Sequence, residues 1–421
     1  MTTTDVPEST GALLRRIAPS ALLPALVYEI GNGAIAPIIA LVALDAGAST
    51  GVAGLMLSLA GIGRIIGDVP VAAVIERLGE RRTMLLASAV TAVALLGCWV
   101  EHDLWMLALS QLLIGVCASA FYLARQTYIA EAVAVHQRAR ALSTLAGAHR
   151  IGLFIGPFIG ALAITLWGTR AAFGVAVVAT LATAAILLVV PDEPRADSAQ
   201  RGGHHHGGAS PWRTFGRHRE LFLTLGTAMV MVGAVRAARQ TVLPLWASHI
   251  GLSATVTSVI FGIANAADMS LFYPAGHVMD RFGRLAIAIP AMSLLGLGMI
   301  ALPLSHGAVA LGVAAVVMSI GNGIGSGIMM TIGSDAAPEG ERTTFLSLWR
   351  LLGDTGNALG PVVPAAIGGI AALGLGISLT GVLGLAAAAG LARWVPRYSA
   401  YGTLAMVRAH RERALADDAT A

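Results

Sequence analysis

Ionisable side chains stand where the surrounding sequence is apolar. The acids are Glu29, Asp68, Asp268 and Asp354, and the bases are Arg64, Arg125, Arg150, Arg236, Arg239 and Arg350. A charge held away from water is costly and marks function by default. Burial of a carboxyl favours its neutral form, and a nearby guanidinium favours its charged form. A carboxyl alternately paired with Arg and bared to a cavity therefore binds and releases a proton. Glu29 is the first candidate. It lies about eleven residues into the first apolar run, near mid-bilayer at ~1.5 Å per residue, and Tyr28, Gly31, Asn32 and Gly33 leave polar room around it. Asp268 and Asp354 follow as proton-coupling candidates, and Asp68, close to the end of its run, fits a structural role. Arg64, Arg150 and Arg236 are deep, and a permanent structural ion pair competes with substrate contact for each. Arg125, Arg239 and Arg350 stand where a long side chain can snorkel to the interface. His149 is of a type that titrates near neutrality, but a lone helical His reads first as hydrogen-bonded packing. The cavity set is thus Glu29, Asn32, Arg64, Arg150, Arg236, Asp268 and Asp354.

The elements that must carry these groups follow from composition. Of 421 residues, 56% are hydrophobic and 12% charged, and the mean hydropathy is +0.76. Soluble chains carry charge on about a quarter of their residues, so a soluble enzyme or DNA-binding protein is excluded. Fifty glycines and 5% aromatics suit close-packed helices better than a barrel with aromatic girdles. Spans of ~20 apolar residues are predicted at 18–43, 52–75, 83–101, 104–130, 141–167, 171–191, 220–247, 253–277, 285–304, 308–334, 343–370 and 373–394. The first run is too long for a signal-peptide core and lacks a small-residue cleavage site. Alternate connections are rich in Arg (Arg77, Arg81 and Arg82; Arg138 and Arg140; Arg281 and Arg284), whereas the others hold little beyond Arg170. Arg-rich short loops remain cytoplasmic. This predicts an even span count, both termini in the cytoplasm and residence in the cell inner membrane. Cys98 and Cys117 lie in apolar runs and read as small core residues.

A polar stretch divides the chain into an N-terminal segment 1–17, a six-helix bundle 18–191, a linker 192–219, a second bundle 220–394 and a tail 395–421. His204, His205 and His206 lie in the glycine-rich linker, where adjacent histidines are weak evidence for a metal; no metal or cofactor is expected. The halves repeat. Pro70–Gly79 aligns with Pro274–Gly283, Arg138–Ser143 with Arg342–Ser347, and Gly152–Pro157 with Gly356–Pro361, each at an offset of 204. Parallel six-helix repeats place a substrate site at the midplane and imply alternating access. At this offset Arg64 falls opposite Asp268 and Arg150 opposite Asp354. Glu29 falls opposite Arg236 if Pro37 is aligned with Pro244, an offset of 207. These inversions of sign lead us to expect opposite charges from the two halves to meet across a cavity.

Ala72-x-x-x-Glu76-Arg77-Leu-Gly79-Glu-Arg81-Arg82 resembles motif A of the major facilitator superfamily, and Gly276-x-x-x-Asp280-Arg281-Phe-Gly283-Arg284 resembles its second copy. Gly152-x-x-x-Gly156-Pro157-x-x-Gly160 is similar to motif C of the twelve-helix drug:proton antiporter branch. The resemblance implies an all-α integral membrane fold of twelve helices in two pseudo-symmetric six-helix bundles. Ala72 departs from the motif's first Gly, Leu285 ends the second copy, and Gln111 stands where motif B carries an Arg implicated in proton handling. Physically, an acid at a helix end followed by Arg-x-Gly makes a charged latch whose Arg reaches an acid or a helix C-terminus. Glu131 is the expected partner of Arg81, and Asp335 its counterpart in the second half; the same charges also fix topology. Gly152, Gly156 and Gly160 form one small stripe, and Pro157 bends the helix. The resemblance places the neighbour of that stripe in the opposite half.

Six buried Arg against four acids, with few aromatics for a cation cage, turn the expectation towards anionic, zwitterionic or neutral amphiphiles. The leading reading is a proton-coupled exporter of small amphiphilic compounds, a multidrug-resistance type of antiporter. The runner-up is an importer or exchanger of an organic anion. No nucleophile elbow, metal-ligand spacing or large extramembrane domain supports an enzyme or receptor. The expected partners are a small-molecule substrate, protons and the lipid bilayer, with no nucleic acid, and the protein is expected to be a monomer.

Overall fold

The computed structural model describes residues 17–100, 103–133, 135–190, 211–338, 341–366, 370–410 and 412. The linker histidines His204, His205 and His206 lie outside the described residues, as do segments 1–16 and 413–421. Regular structure among the described residues is helical throughout. In chain order the long helices are α1 (Ala18–Asp45), α2 (Thr50–Leu78), α3 (Glu80–Val100), α4 (Leu104–Ala132), α5 (Val135–Trp167) and α6 (Ala171–Val189). The second series is α7 (Arg219–His249), α8 (Ala254–Phe282), α9 (Leu285–Ala301), α10 (Ala308–Ala336), α11 (Arg342–Leu359) and α12 (Ile370–Tyr398). Eleven of the twelve are long and apolar enough to cross a membrane by length and composition. The one set apart is α11. Its 18 residues include Arg342, Arg350 and Asp354, and it is followed by the short helix Val362–Ala366 instead of running unbroken to 370.

The described chain gathers into two compact units, residues 1–36 with 62–202 and residues 37–61 with 203–421. In the first unit, Tyr28, Val71, Ile75, Met84, Cys117 and Phe121 form one core cluster. Ile17, Ala21, Ala25, Ile129, Ala141 and Leu145 form another. In the second unit, Trp349 and Phe345 are fully buried, and the Trp349 indole donates to the Met329 carbonyl at 2.8 Å.

The offset of 204 is written into the backbone as well as the sequence. A π-helical turn opens α1 at Ala18–Leu22 and recurs at Phe222–Gly226 in α7. Ser49 caps α2 by accepting from the Val52 amide, and Ser253 caps α8 by accepting from the Val256 amide. Gly79 after α2 and Gly283 after α8 both take left-handed φ, +80° and +95°. Only glycine enters that region without a Cβ clash, and this lets each long helix end in a tight turn into the next.

Close helix contact follows the predicted small stripe, which meets α1. A Cβ at Gly152 would lie 2.6 Å from the Leu26 carbonyl oxygen, and one at Gly160 would lie 2.9 Å from that of Ala34. Gly152, Gly156 and Gly160 therefore seat α5 on α1 within the first unit. The physical reason is local. Gly33 on α1 faces Gly156 and Pro157, so two glycine surfaces meet and the backbones approach. Gly356 and Gly360 repeat this in the second unit, where they abut Val230 and Ala234 of α7.

These contacts also correct the alignment of the first helices. Gly152 meets Leu26 where Gly356 meets Val230, and Gly156 meets Ile30 where Gly360 meets Ala234. The offset is 204 here too, without an insertion. Glu29 then corresponds to Gly233, and Arg236 to Asn32. Aligning Pro37 with Pro244 misled because a helix-bending proline is not bound to one repeat position.

Candidate functional site

The first polar cluster is built around Glu29, which is 6% exposed on α1. Nδ1 of His149 on α5 lies 2.8 Å from Glu29 Oε1, an ion pair when the imidazole is protonated. Asn32, one turn along α1, donates from Nδ2 to Glu29 Oε2 at 3.1 Å. The sequence reading took His149 for packing, yet a signal was present. His149 precedes Gly152 by three residues, so both share one helix face, and Gly152 is the glycine that touches Glu29.

Arg125 on α4 is 1% exposed. Its guanidinium lies 5.2 Å from the Phe121 ring and 5.8 Å from the Tyr122 ring, while Phe121 stacks on Tyr28 at 4.4 Å. Snorkelling is therefore the wrong reading for Arg125: the aromatic rings of its own helix turn it inward. Gln111, at the motif B position, is 1% exposed and its Nε2 has no hydrogen-bond partner.

In the second unit a chain of hydrogen bonds joins α7, α10 and α8. Arg236 donates from Nε to Asn322 Oδ1 at 2.9 Å and from Nη1 to the Gly325 carbonyl at 3.2 Å. Asn322 donates from Nδ2 to Asp268 Oδ2 at 2.9 Å. Arg239 donates to Ser319 Oγ at 2.6 Å, and its Nη2 lies 4.0 Å from Asp268. At 2% exposure Arg239 does not snorkel either. Asn322 and Ser319 escaped the sequence reading because uncharged polar residues are common in membrane helices, and nothing local distinguishes these two.

The remaining candidates are dispersed. Asp354 pairs with Arg350 at 3.6 Å along α11 itself. Asp68 accepts from the Ser119 hydroxyl of α4, Arg150 is half-buried and Arg64 exposed. Among the described residues no group of three or more His, Cys, Asp or Glu could hold a metal ion.

The two motif A segments differ. Glu76 and Arg77 are exposed, and Arg81 donates to the Leu188 carbonyl at the end of α6 at 3.1 Å, the helix-terminus contact expected of a latch. Glu131's side chain, its other expected partner, lies outside the described residues. In the second copy, Arg281 lies 5.4 Å from the Phe282 ring, and Arg284 carries the network. It donates to both carboxylate oxygens of Asp335, at 2.9 and 3.3 Å, and to Asp280 at 3.0 Å. Ser399 also donates to Asp335, at 2.7 Å, and the Arg284 and Leu285 amides donate to the Tyr401 and Gly402 carbonyls. Residues just beyond α12 thus complete this turn. Burial pulls the Arg284 guanidinium down, but the hydrogen bonds and charge of Asp335, then those of Asp280, outweigh it, and its pKa is raised.

Apolar helices of spanning length, a duplicated half and charged residues turned inward define a multi-pass membrane transporter. Residues 22–361 match the Major Facilitator Superfamily, and the chain belongs to that family, which makes it a transporter and not an enzyme. The chain is 24% identical over 162 residues to Multidrug resistance protein MdtG of Enterobacter lignolyticus (strain SCF1), a match spanning 38% of this chain and 39% of that protein. The fold is similar to that of a D-xylose-proton symporter at 16% identity and a TM-score of 0.67, over 92% of this chain and 98% of that one. It is also similar to that of a POT family transporter in complex with 5-aminolevulinic acid, at 12% identity and a TM-score of 0.73, over 91% and 96%.

Proposed function

We propose that this protein is a secondary active transporter that exports small amphiphilic compounds by alternating access in exchange for protons, with Glu29 as the first proton-coupling carboxylate. The observation that carries the reading is the buried Glu29–His149 pair at 2.8 Å on α1 and α5. A buried carboxylate–imidazole pair in a membrane helix bundle can change its proton load near neutral pH through the ring, which is of the type that titrates there. Similarity to a multidrug resistance protein over part of the chain supports export. Asp268, held by Asn322 and near Arg239, is the second coupling candidate, and Asp354 the third. The Arg284–Asp335–Asp280 network and the Arg81 contact at α6 are gate elements in this reading, in a monomer of the inner membrane with both termini cytoplasmic. Everted vesicles test it. Acidifying the lumen should drive a transported amphiphile inward; accumulation indifferent to the gradient removes proton antiport. A second reading, import or exchange of an organic anion, draws on Arg236, which reaches Asn322 from α7.

A further inference from the structure

Arg125 presents a physical problem that the coupling site as described does not use. Its side chain is 1% exposed, and neither Nε nor Nη1 has a hydrogen-bond partner. A buried guanidinium without a partner is strongly destabilising unless an opposite charge compensates it. The compensating charge is Glu29, the acid with which Arg125 interacts electrostatically. Yet no salt bridge joins them, because Glu29 is already engaged by His149 at one oxygen and Asn32 at the other.

We propose that Arg125 is the standby counter-ion of Glu29: when His149 gives up its proton to water, the Arg125 guanidinium takes the carboxylate over, so that Glu29 exchanges one cation for another and stays ionised. The described arrangement is the state in which His149 holds Glu29 and Arg125 waits on the ring of Phe121. The groups facing Glu29 allow this exchange. Helix α5 brings His149, α4 brings Arg125, and α1 brings Asn32 and the neighbouring phenol of Tyr28. Arg64 of α2 and Cys117 of α4 act on Tyr28. Helix α6, which packs on Gly31 through Ala176 and Ala179, contains no titratable residue. Only His149 among these is of a type that ordinarily titrates near neutral pH. Arg125 is thus a positioning residue that decides where the Glu29 carboxylate rests.

As a coupling device the exchange rests on the proposed role of Glu29 in transport, but the exchange itself is tested without any substrate, so either idea can fail alone. The measurement is the thermal midpoint of the purified full-length chain in detergent at pH 5.5 and pH 8.5. An ion pair between a carboxylate and an imidazolium exists while the ring is protonated and is lost as pH rises through the ordinary histidine range. With Arg125 in place the carboxylate keeps a cation at both values. Arg125→Gln should therefore lose about 2–4 °C more, relative to wild type, at pH 8.5 than at pH 5.5. Arg125→Lys should restore much of the difference. In a Glu29→Gln background the pH-dependent excess should vanish. An equal loss at both pH values, or an excess that survives in Glu29→Gln, overturns the proposal. Should Arg125→Gln not fold alone, E29Q and E29Q/R125Q decide. Removing the stranded guanidinium should raise the midpoint of E29Q, and a further fall refutes the exchange.

Discussion

Nδ1 of His149 stands 2.8 Å from Oε1 of Glu29, so the carboxylate that the first helix carries into the apolar interior meets an imidazole from the fifth. The glycine one turn beyond that imidazole, Gly152, is what lets α5 come this close to the Glu29 backbone. Packing and chemistry are here one arrangement: the small stripe positions the pair.

Glu29→Gln is isosteric and keeps an acceptor for Asn32, so the bundle should fold and insert. Gradient-driven accumulation in everted vesicles should fall to background, because the carboxylate that pairs with His149 is gone. Retained pH-dependent transport in this variant would transfer the proton site to Asp268 or Asp354.

Arg236→Ala separates two roles. If the guanidinium contacts an anionic substrate, KM should rise about tenfold or more, since a charge-assisted hydrogen bond contributes about 1.5–3 kcal/mol. A lower thermal midpoint with unchanged KM for every transported compound would assign Arg236 to holding Asn322.

The paired turns should respond unequally to alanine. At Gly79 a new Cβ meets nothing within 4 Å, whereas at Gly283 it would lie 2.8 Å from the Thr403 carbonyl carbon. Left-handed φ alone costs about 1–2 kcal/mol for an L residue, so Gly79→Ala should lower stability by about that much. Gly283→Ala should cost more, and a smaller loss than for Gly79→Ala in thermal unfolding would contradict the described docking of Thr403.

Arg284→Ala should be more damaging than Arg281→Ala. Arg284 holds Asp335 and Asp280, and its loss leaves Asp335, whose side chain is 10% exposed, short of its main cation. We expect a loss of about 1–3 kcal/mol, read as a lower thermal midpoint. Because the Arg284 pKa is raised, its contribution is complete below the ordinary guanidinium range and is lost only as pH climbs through the raised value. The wild-type minus Arg284→Ala difference should therefore show no loss through deprotonation of Arg284 between pH 6 and 9. A cysteine-accessibility assay at 399–403 should show the released segment.

Much of the architecture was legible because its causes are local or repeated. Hydropathy placed the spans, since apolar length is a one-dimensional property. The offset of 204 was visible in the motifs, and the π-turns at 18–22 and 222–226 follow it. Glu29 was singled out from its depth and from the polar room that Tyr28, Gly31, Asn32 and Gly33 leave around it. The partners were not legible. Which face of α5 meets α1, that His149 rather than an arginine reaches Glu29, that Arg125 and Arg239 turn inward instead of snorkelling, and that Ser399 joins Asp335 all depend on residues far apart in the chain. One turn of helix carries a side chain from lipid to core, and sequence spacing does not reveal which way a helix is rotated. Sequence set the number of helices, their repeat and the presence of charge within them; tertiary packing chose which charges touch, because glycine contacts between helices fix rotation and depth together.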